Sequence, residues 1–151
     1  HGLVCKLIST GKCVDGVYSA YVQPTLVAQG EPEAAVPMNY NLITFIGATS
    51  ERMSFYGQGA GRYPTAYNVV QDCVDLICGT GFYCEHGGKV AAVNDDLIRY
   101  YVRSDEDAWL QAKTAEHWGN AVVTEPVSVK EMHQWLTAHP GAFIAALDCG
   151  Y

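Results

Sequence analysis

Basic residues are scarce in this chain: 9 Lys and Arg face 16 Asp and Glu among 151 residues, a formal charge of −7. Nucleic-acid phosphates are bound by clustered Lys and Arg, so this balance argues against a nucleic-acid partner. It argues equally against an anionic membrane surface. No apolar run approaches the ~18 residues that a membrane span needs. No signal peptide is recognisable, because His1-Gly2 leads straight into a strand-like stretch. No Met opens the chain either, and the early strand suggests a domain cut from a longer protein. There is no C-x-x-C pair, so a thioredoxin-like redox centre lacks its motif. What the chain does have is apolar content, 49% against 17% charged, the reverse of a disordered tail. Its length suits one or two small domains with a real core.

The six cysteines, at 5, 13, 73, 78, 84 and 149, are scattered among apolar neighbours and are expected to be free thiols. Cys78, Cys84 and His86 form C-x5-C-x-H, a spacing that matches no common zinc site and brings no obvious fourth ligand. No metal site is therefore assigned.

Alternation and β-branched content predict strands over 3–9, 17–23, 42–46 and 52–56. Asp15-Gly16 is a hairpin dipeptide between the first two. Pro24 should end the second strand or place it at an edge. The period then changes. Ala66, Val69, Val70, Cys73, Val74 and Ile77 recur at helical spacing, giving a helix with one broad apolar face. Pro64 suits its first turn and Gly79 its C-terminal cap. Residues 79–96, with glycines and Asn94-Asp95-Asp96, read as a linker or loop.

The tail predicts a strand over 98–103, a helix from Asp105 to about Trp118 stopped by Gly119, and a strand over 121–123. A capping-box helix follows from Ser128 with Glu131, and a strand over 142–147 ends the pattern. Val129, Met132, Trp135 and Leu136 should line the core face of the last helix. Trp109 and Trp135 are read as core packing, and His117, His133 and His139 as capping or surface groups near helix ends. Glu31, Glu33, Asp95 and Asp96 are read as solvated loop acids. The class is α+β: a mixed β-sheet with a packed helix over 1–78, a linker over 79–96, and a small β-α-β-α-β module over 97–151.

The best chemical candidate is Gly57-Gln-Gly59-Ala-Gly61-Arg-Tyr-Pro64-Thr65, which runs from a strand into a helix N-terminus. Glycines let a backbone approach a ligand, and helix N-termini present free N–H groups with partial positive charge. The string is not G-x-G-x-x-G, and a tight strand-to-helix turn explains the same glycines.

Val22-Gln-Pro24-Thr25-Leu26-Val27, Asn39 to Gly47, Met53-Ser-Phe-Tyr56-Gly57-Gln-Gly59-Ala60-Gly61-Arg-Tyr-Pro64-Thr65-Ala66 and Val69-Val70-Gln-Asp72 together resemble homoserine dehydrogenase. The likeness covers about residues 2–78, where that family closes its substrate and dimerisation domain and returns to its nucleotide-binding domain. The tail more loosely resembles an ACT regulatory module, ferredoxin-like in type but with one strand of β-α-β-β-α-β missing. The Asp-x-Pro-Gly-like loop expected after its first strand is replaced by Ser104-Asp105-Glu106-Asp107. The resemblance implies a cytoplasmic oxidoreductase that interconverts homoserine and aspartate semialdehyde with NAD or NADP, on the route to threonine and methionine. It implies cofactor contact at Gly61, with Thr65 and Gly59 close by, in the intact enzyme.

No catalytic residue is assigned within these residues. Neither Lys6 nor Lys12 stands in the family's catalytic-lysine motif, and the N-terminal dinucleotide fold is not among them. The chain alone is therefore expected to hold no cofactor and to be inactive. Its expected partners are a second copy and the remaining N-terminal part of the enzyme. Two other readings stand beside this one: a stand-alone amino-acid-sensing or dimerisation module without catalysis, and a thiol or metal protein using Cys78 and Cys84.

Overall fold

In the computed structural model, which describes residues 2–80, 90–105 and 107–147, Asp15 and Gly16 take φ values of 51° and 78°. That left-handed pair is what a two-residue hairpin requires. It joins β1 (Leu3–Val14) to β2 (Val17–Ala28), with Val14 opposite Val17 and Leu3 opposite Ala28. Both strands run longer than expected. Pro24 neither ends β2 nor marks an edge: it sits opposite Leu7, and β2 lies inside a six-stranded sheet. One lost ladder donor is outweighed by the long register with β1 on either side of it.

The tail supplies the rest of that sheet. β5 (Leu97–Ile98) pairs with β9 (Val127–Ser128) as a small separate ribbon. β6 (Tyr100–Arg103), α2 (Ala108–Lys113), β7 (Thr114–Trp118), β8 (Ala121–Thr124), α3 (Val129–Ala138) and β10 (Phe143–Ala146) complete the unit. The sheet order is β1-β2-β10-β6-β8-β7, mixed because β2 and β10 are parallel through Thr25 and Ala146.

The helix expected to reach Trp118 stops at Lys113. Residues 114–118 form β7, antiparallel to β8, with a bulge between Thr114 and Glu116. Gly119, read as a helix stop, instead takes φ 66° in the two-residue turn between Trp118 and Ala121. The strand thought missing is therefore present. The tail is β-α-β-β-α-β with its strands in the spatial order fourth, first, third, second, the ferredoxin-like arrangement. The N-cap of α2 is Asp107, not Asp105: its carboxylate accepts the Leu110 N–H at 2.6 Å. Ser128 caps α3 as its sequence signals, accepting the Glu131 N–H at 3.1 Å.

The core lies between this sheet and its helices: Tyr100, Val102, Leu110, Val122, Val129, Met132, Trp135 and Ile144 are buried together, with Trp109 and Leu136 packed against them. Residues 90–96, expected as part of a linker, are docked on the β1–β2 hairpin. The Val93 N–H donates to the Tyr18 carbonyl at 2.8 Å, and the Ala20 N–H to Asn94 Oδ1 at 2.8 Å. Asp96, read as a solvated acid, accepts from Lys12 Nζ at 2.9 Å. The middle of the expected linker, 81–89, lies outside the described residues, as do Cys84, His86, Glu106 and Cys149.

Contacts divide the chain into residues 1–34 with 90–151, and residues 35–89, rather than into 1–78, 79–96 and 97–151. The second unit holds β3 (Tyr40–Gly47) and β4 (Glu51–Gln58), an antiparallel hairpin, and α1 (Arg62–Cys78). The four strands of the first half thus do not share one sheet. Gly79 caps α1 in the left-handed conformation, φ 67°, with the Thr80 N–H reaching back to the Asp75 carbonyl. The helix is not packed as expected: it contains no buried residue, and Val70 and Ile77 of its apolar face are 62% and 85% exposed.

Candidate functional site

The glycine string sits where β4 passes into α1. The strand delivers Gly57 and Gln58, and Gln58 Nε2 donates to the Tyr40 hydroxyl at 3.0 Å across the hairpin. Tyr40 stacks on Tyr56 with centroids 5.0 Å apart. The chain is then clamped by Asn39. Its carbonyl accepts the Gly59 N–H at 3.3 Å, and its Nδ2 donates to the Ala60 carbonyl at 2.8 Å. The loop is thus fixed by the hairpin on which it rests.

Two of the glycines differ in what a side chain there would meet. A Cβ on Gly59 would stand 1.6 Å from Asn41 Nδ2, the tip of an exposed side chain that can swing aside. Gly61 is the N-cap of α1 at φ 126° and ψ 155°, a region that L side chains rarely adopt. A Cβ there would meet only Pro64 Cδ at 3.6 Å and Asn39 Nδ2 at 3.7 Å, which is ordinary contact. Space is therefore open at Gly61, and conformation is what demands glycine.

The helix start that follows is set up for a polar or anionic ligand group. No side chain caps it, and its first turn holds no acid. The Thr65 N–H is taken by the Gly61 carbonyl at 3.1 Å. The N–H groups of Arg62 and Tyr63 precede any intrahelical acceptor. The Arg62 guanidinium lies over the Tyr63 ring at 4.6 Å and donates to its hydroxyl at 2.7 Å. Glycine-bared backbone, orphan donors and a nearby cation suit the polar end of a dinucleotide. Gly59, Gly61 and Thr65 are brought together here within one strand-loop-helix segment.

A sequence profile of the homoserine dehydrogenase family matches residues 1–74. Those residues are similar to a segment of homoserine dehydrogenase. The homoserine dehydrogenase of Synechocystis sp. is 30% identical over 123 residues, 68% of this chain and 28% of that protein. The Corynebacterium glutamicum homoserine dehydrogenase is 38% identical over 107 residues, 64% of this chain and 23% of that one. The chain thus spans less than a third of the length of these curated relatives. Among solved structures, a homoserine dehydrogenase from Thiobacillus denitrificans superposes with a TM-score of 0.66 at 17% identity, covering 97% of this chain and 43% of that one. One from S. aureus gives 0.57 at 22% identity, covering 99% and 43%. These likenesses carry the shared fold through the tail. Gly59, Gly61 and Thr65 all fall inside the residues that the family profile matches.

The remaining sequence candidates are dispersed. Among the described residues, no group of three or more His, Cys, Asp or Glu could hold a metal ion. Cys5, Cys13, Cys73 and Cys78 are free and exposed. Among the described residues, no helix is long and apolar enough to cross a membrane. Of the three expected capping or surface histidines, His139 caps α3 and His117 is exposed, though in β7 rather than by a helix end, while His133 lies within α3 against Gln23.

Sequence reasoning missed one polar cluster. Gln23, 4% exposed in β2, accepts the Tyr100 hydroxyl at 3.1 Å and pairs with His133 Nε2 at 3.1 Å through the same Oε1. Burial pushes the Tyr100 hydroxyl pKa well above its usual value and the His133 pKa below its own. The signal was a glutamine at a buried-face position of β2, legible only once β2 is known to continue past Pro24.

Proposed function

We propose that this chain is the C-terminal portion of a cytoplasmic NAD- or NADP-dependent homoserine dehydrogenase, acting on the route to threonine and methionine. The observation that carries the reading is the glycine loop inside the family-matched segment, with Gly61 held at φ 126° and the start of α1 free of acids. The backbone at Gly59 and Gly61, with Thr65 beside it, holds the nicotinamide end of the cofactor. When bound there, a nicotinamide would supply hydride exchange with the substrate carbinol carbon. The loop's own part is to present donors and to keep side-chain bulk away. No proton donor is assigned to these residues, and general acid–base work belongs to another part of the enzyme.

The ferredoxin-like order of the tail supports an ACT-like regulatory module over 97–151. It also favours the second reading, a module for amino-acid sensing or pairing without catalysis.

Purified residues 1–151 are expected to show no homoserine-dependent NAD(P) reduction, because a hydride transfer needs a complete cofactor site and a positioned acid or base. Turnover above a protein-free control overturns this division of labour. Joining the chain to an upstream segment with a dinucleotide fold and the catalytic lysine distinguishes enzyme from stand-alone module.

A further inference from the structure

His139 closes α3, and both of its ring nitrogens face oxygen acceptors. Nε2 stands 2.8 Å from Asp107 Oδ2, and Nδ1 stands 2.8 Å from the Trp135 carbonyl oxygen. A neutral imidazole has one N–H and one lone pair, so it satisfies one of these oxygens and turns a lone pair on the other. The imidazolium donates to both. Flipping the ring would set carbon atoms against the two oxygens and lose both bonds. The ring is also held in place, stacked on Trp135 with centroids 4.3 Å apart, and Trp135 in turn stacks on Trp109 at 5.4 Å.

Asp107 is the hub of this arrangement. Its carboxylate caps α2 through the Leu110 N–H and accepts Trp135 Nε1 at 3.0 Å, and these bonds, the Leu110 one first, hold its pKa below the usual value. A cation at the C-terminus of α3 is favoured by the helix dipole. The other charges around the aromatic stack are already matched. Glu131 of α3 accepts Trp109 Nε1 at 3.2 Å and lies 3.4 Å from Lys113 Nζ of α2. His133, also on α3, pairs with Gln23 of β2. Asp105, in the loop before α2, adds negative charge next to Asp107 along the chain.

We propose that His139 is a protonation latch that ties the end of α3 to the Asp107 cap of α2. Histidine is the side chain that changes charge between about pH 5 and 8. Protonation closes the latch. Deprotonation leaves either Asp107 or the Trp135 carbonyl facing a lone pair, so one of the two bonds that hold the ring on Trp135 is lost. The helix layer of the tail is therefore tighter when His139 is protonated. The device lies within residues 100–147 and does not depend on the cofactor reading of the glycine loop.

The test is a ring-nitrogen NMR titration of the full 151-residue chain from pH 5.5 to 8.5, with tryptophan fluorescence followed in parallel. Both His139 nitrogens are expected to be protonated at the acid end, and the fluorescence is expected to follow the same titration. His139→Gln and Asp107→Asn should each abolish the His139-linked fluorescence change. A single neutral tautomer of His139 across the whole range, with the native spectrum intact, overturns the latch. So does a fluorescence titration unchanged in His139→Gln. The nitrogen shifts are read on the unsubstituted chain, so poor folding of a variant does not remove the test.

Discussion

The Tyr100 hydroxyl donates to the Gln23 side-chain carbonyl at 3.1 Å, although β10, with Ala146 opposite Tyr100, stands between their strands. Two polar side chains thereby tie the β1–β2 hairpin to the tail, where β2 and β10 share only the Thr25–Ala146 pair. Losing one partner of a buried hydrogen bond costs more than the bond itself contributes. Tyr100→Phe removes one donor and leaves Gln23 Oε1 with His133, so a loss of about 1 kcal/mol is expected. Gln23→Leu strands both the hydroxyl and the imidazole N–H and should cost more, roughly 1–3 kcal/mol. Urea unfolding of the two variants checks the order. Equal stability of Gln23→Leu and the parent would deny the tie.

The same cluster sets a pH dependence. Burial lowers the His133 pKa, so the folded state keeps the ring neutral where the unfolded chain, near ~6.5, already binds a proton. Stability from this group is full above the unfolded value. It is lost as pH falls through that value toward the depressed folded one. The parent should thus lose stability between pH 7 and pH 5 relative to His133→Gln, which keeps a donor but no titrating group. Melting curves at both pH values, compared as a difference between the two proteins, isolate this group from the other titrating groups. A difference that does not change with pH would show that His133 is not held neutral.

Some of this architecture is written in local sequence and some is not. The α1 boundaries follow from Pro64 and Gly79, and the start of α3 from Ser128 and Glu131, because caps act within a few residues of themselves. Thr114 to Trp118 carries no such mark. Its residues alternate only weakly, and helical propensity extends past Lys113. Pairing with β8, followed by the Gly119-Asn120 turn, makes it a strand. The continuation of β2 through Pro24 is likewise decided by a partner, β1, and not by the residues on either side. The glycine loop was legible as a strand-to-helix turn. That Gly59 faces the Asn41 side chain and Gly61 answers to its own backbone angle is visible only in three dimensions.

These two glycines make different demands on a substitution. Gly59→Ala displaces only the exposed Asn41 amide, so the 35–89 unit should stay within about 0.5 kcal/mol of the parent. Gly61→Ala carries the cost of an unfavourable φ but meets no clash, and Gly61→Val adds bulk at the same φ. In an intact enzyme, Gly61→Val should lower cofactor affinity or turnover tenfold or more relative to Gly61→Ala, about 1.4 kcal/mol. Comparing the two Gly61 variants removes the shared backbone strain. Equal kinetics for both would mean that the loop is a turn and nothing approaches it.

Self-association is the remaining expectation, and it rests on the family resemblance together with uncovered apolar surface. The β3–β4 hairpin exposes Ile43, Phe45 and Phe55, each more than half accessible, and α1 exposes Val70 and Ile77. A two-stranded hairpin is marginal without a third layer, and contiguous apolar surface of this kind marks an interaction site. In the first unit, β1 is a 12-residue strand at the end of its sheet, with one ladder side open. Closed two-fold pairing is the commonest way for a chain to cover such surfaces. We therefore expect a homodimer whose contact uses the strand-bearing first half and not residues 79–96. Light scattering over a micromolar dilution series should give a mass near twice 16.4 kDa. Phe45→Glu, which charges the hairpin face, should shift the population toward monomer. A monomeric mass for the parent at every concentration rejects the dimer, and a dimer untouched by Phe45→Glu places the contact away from this hairpin.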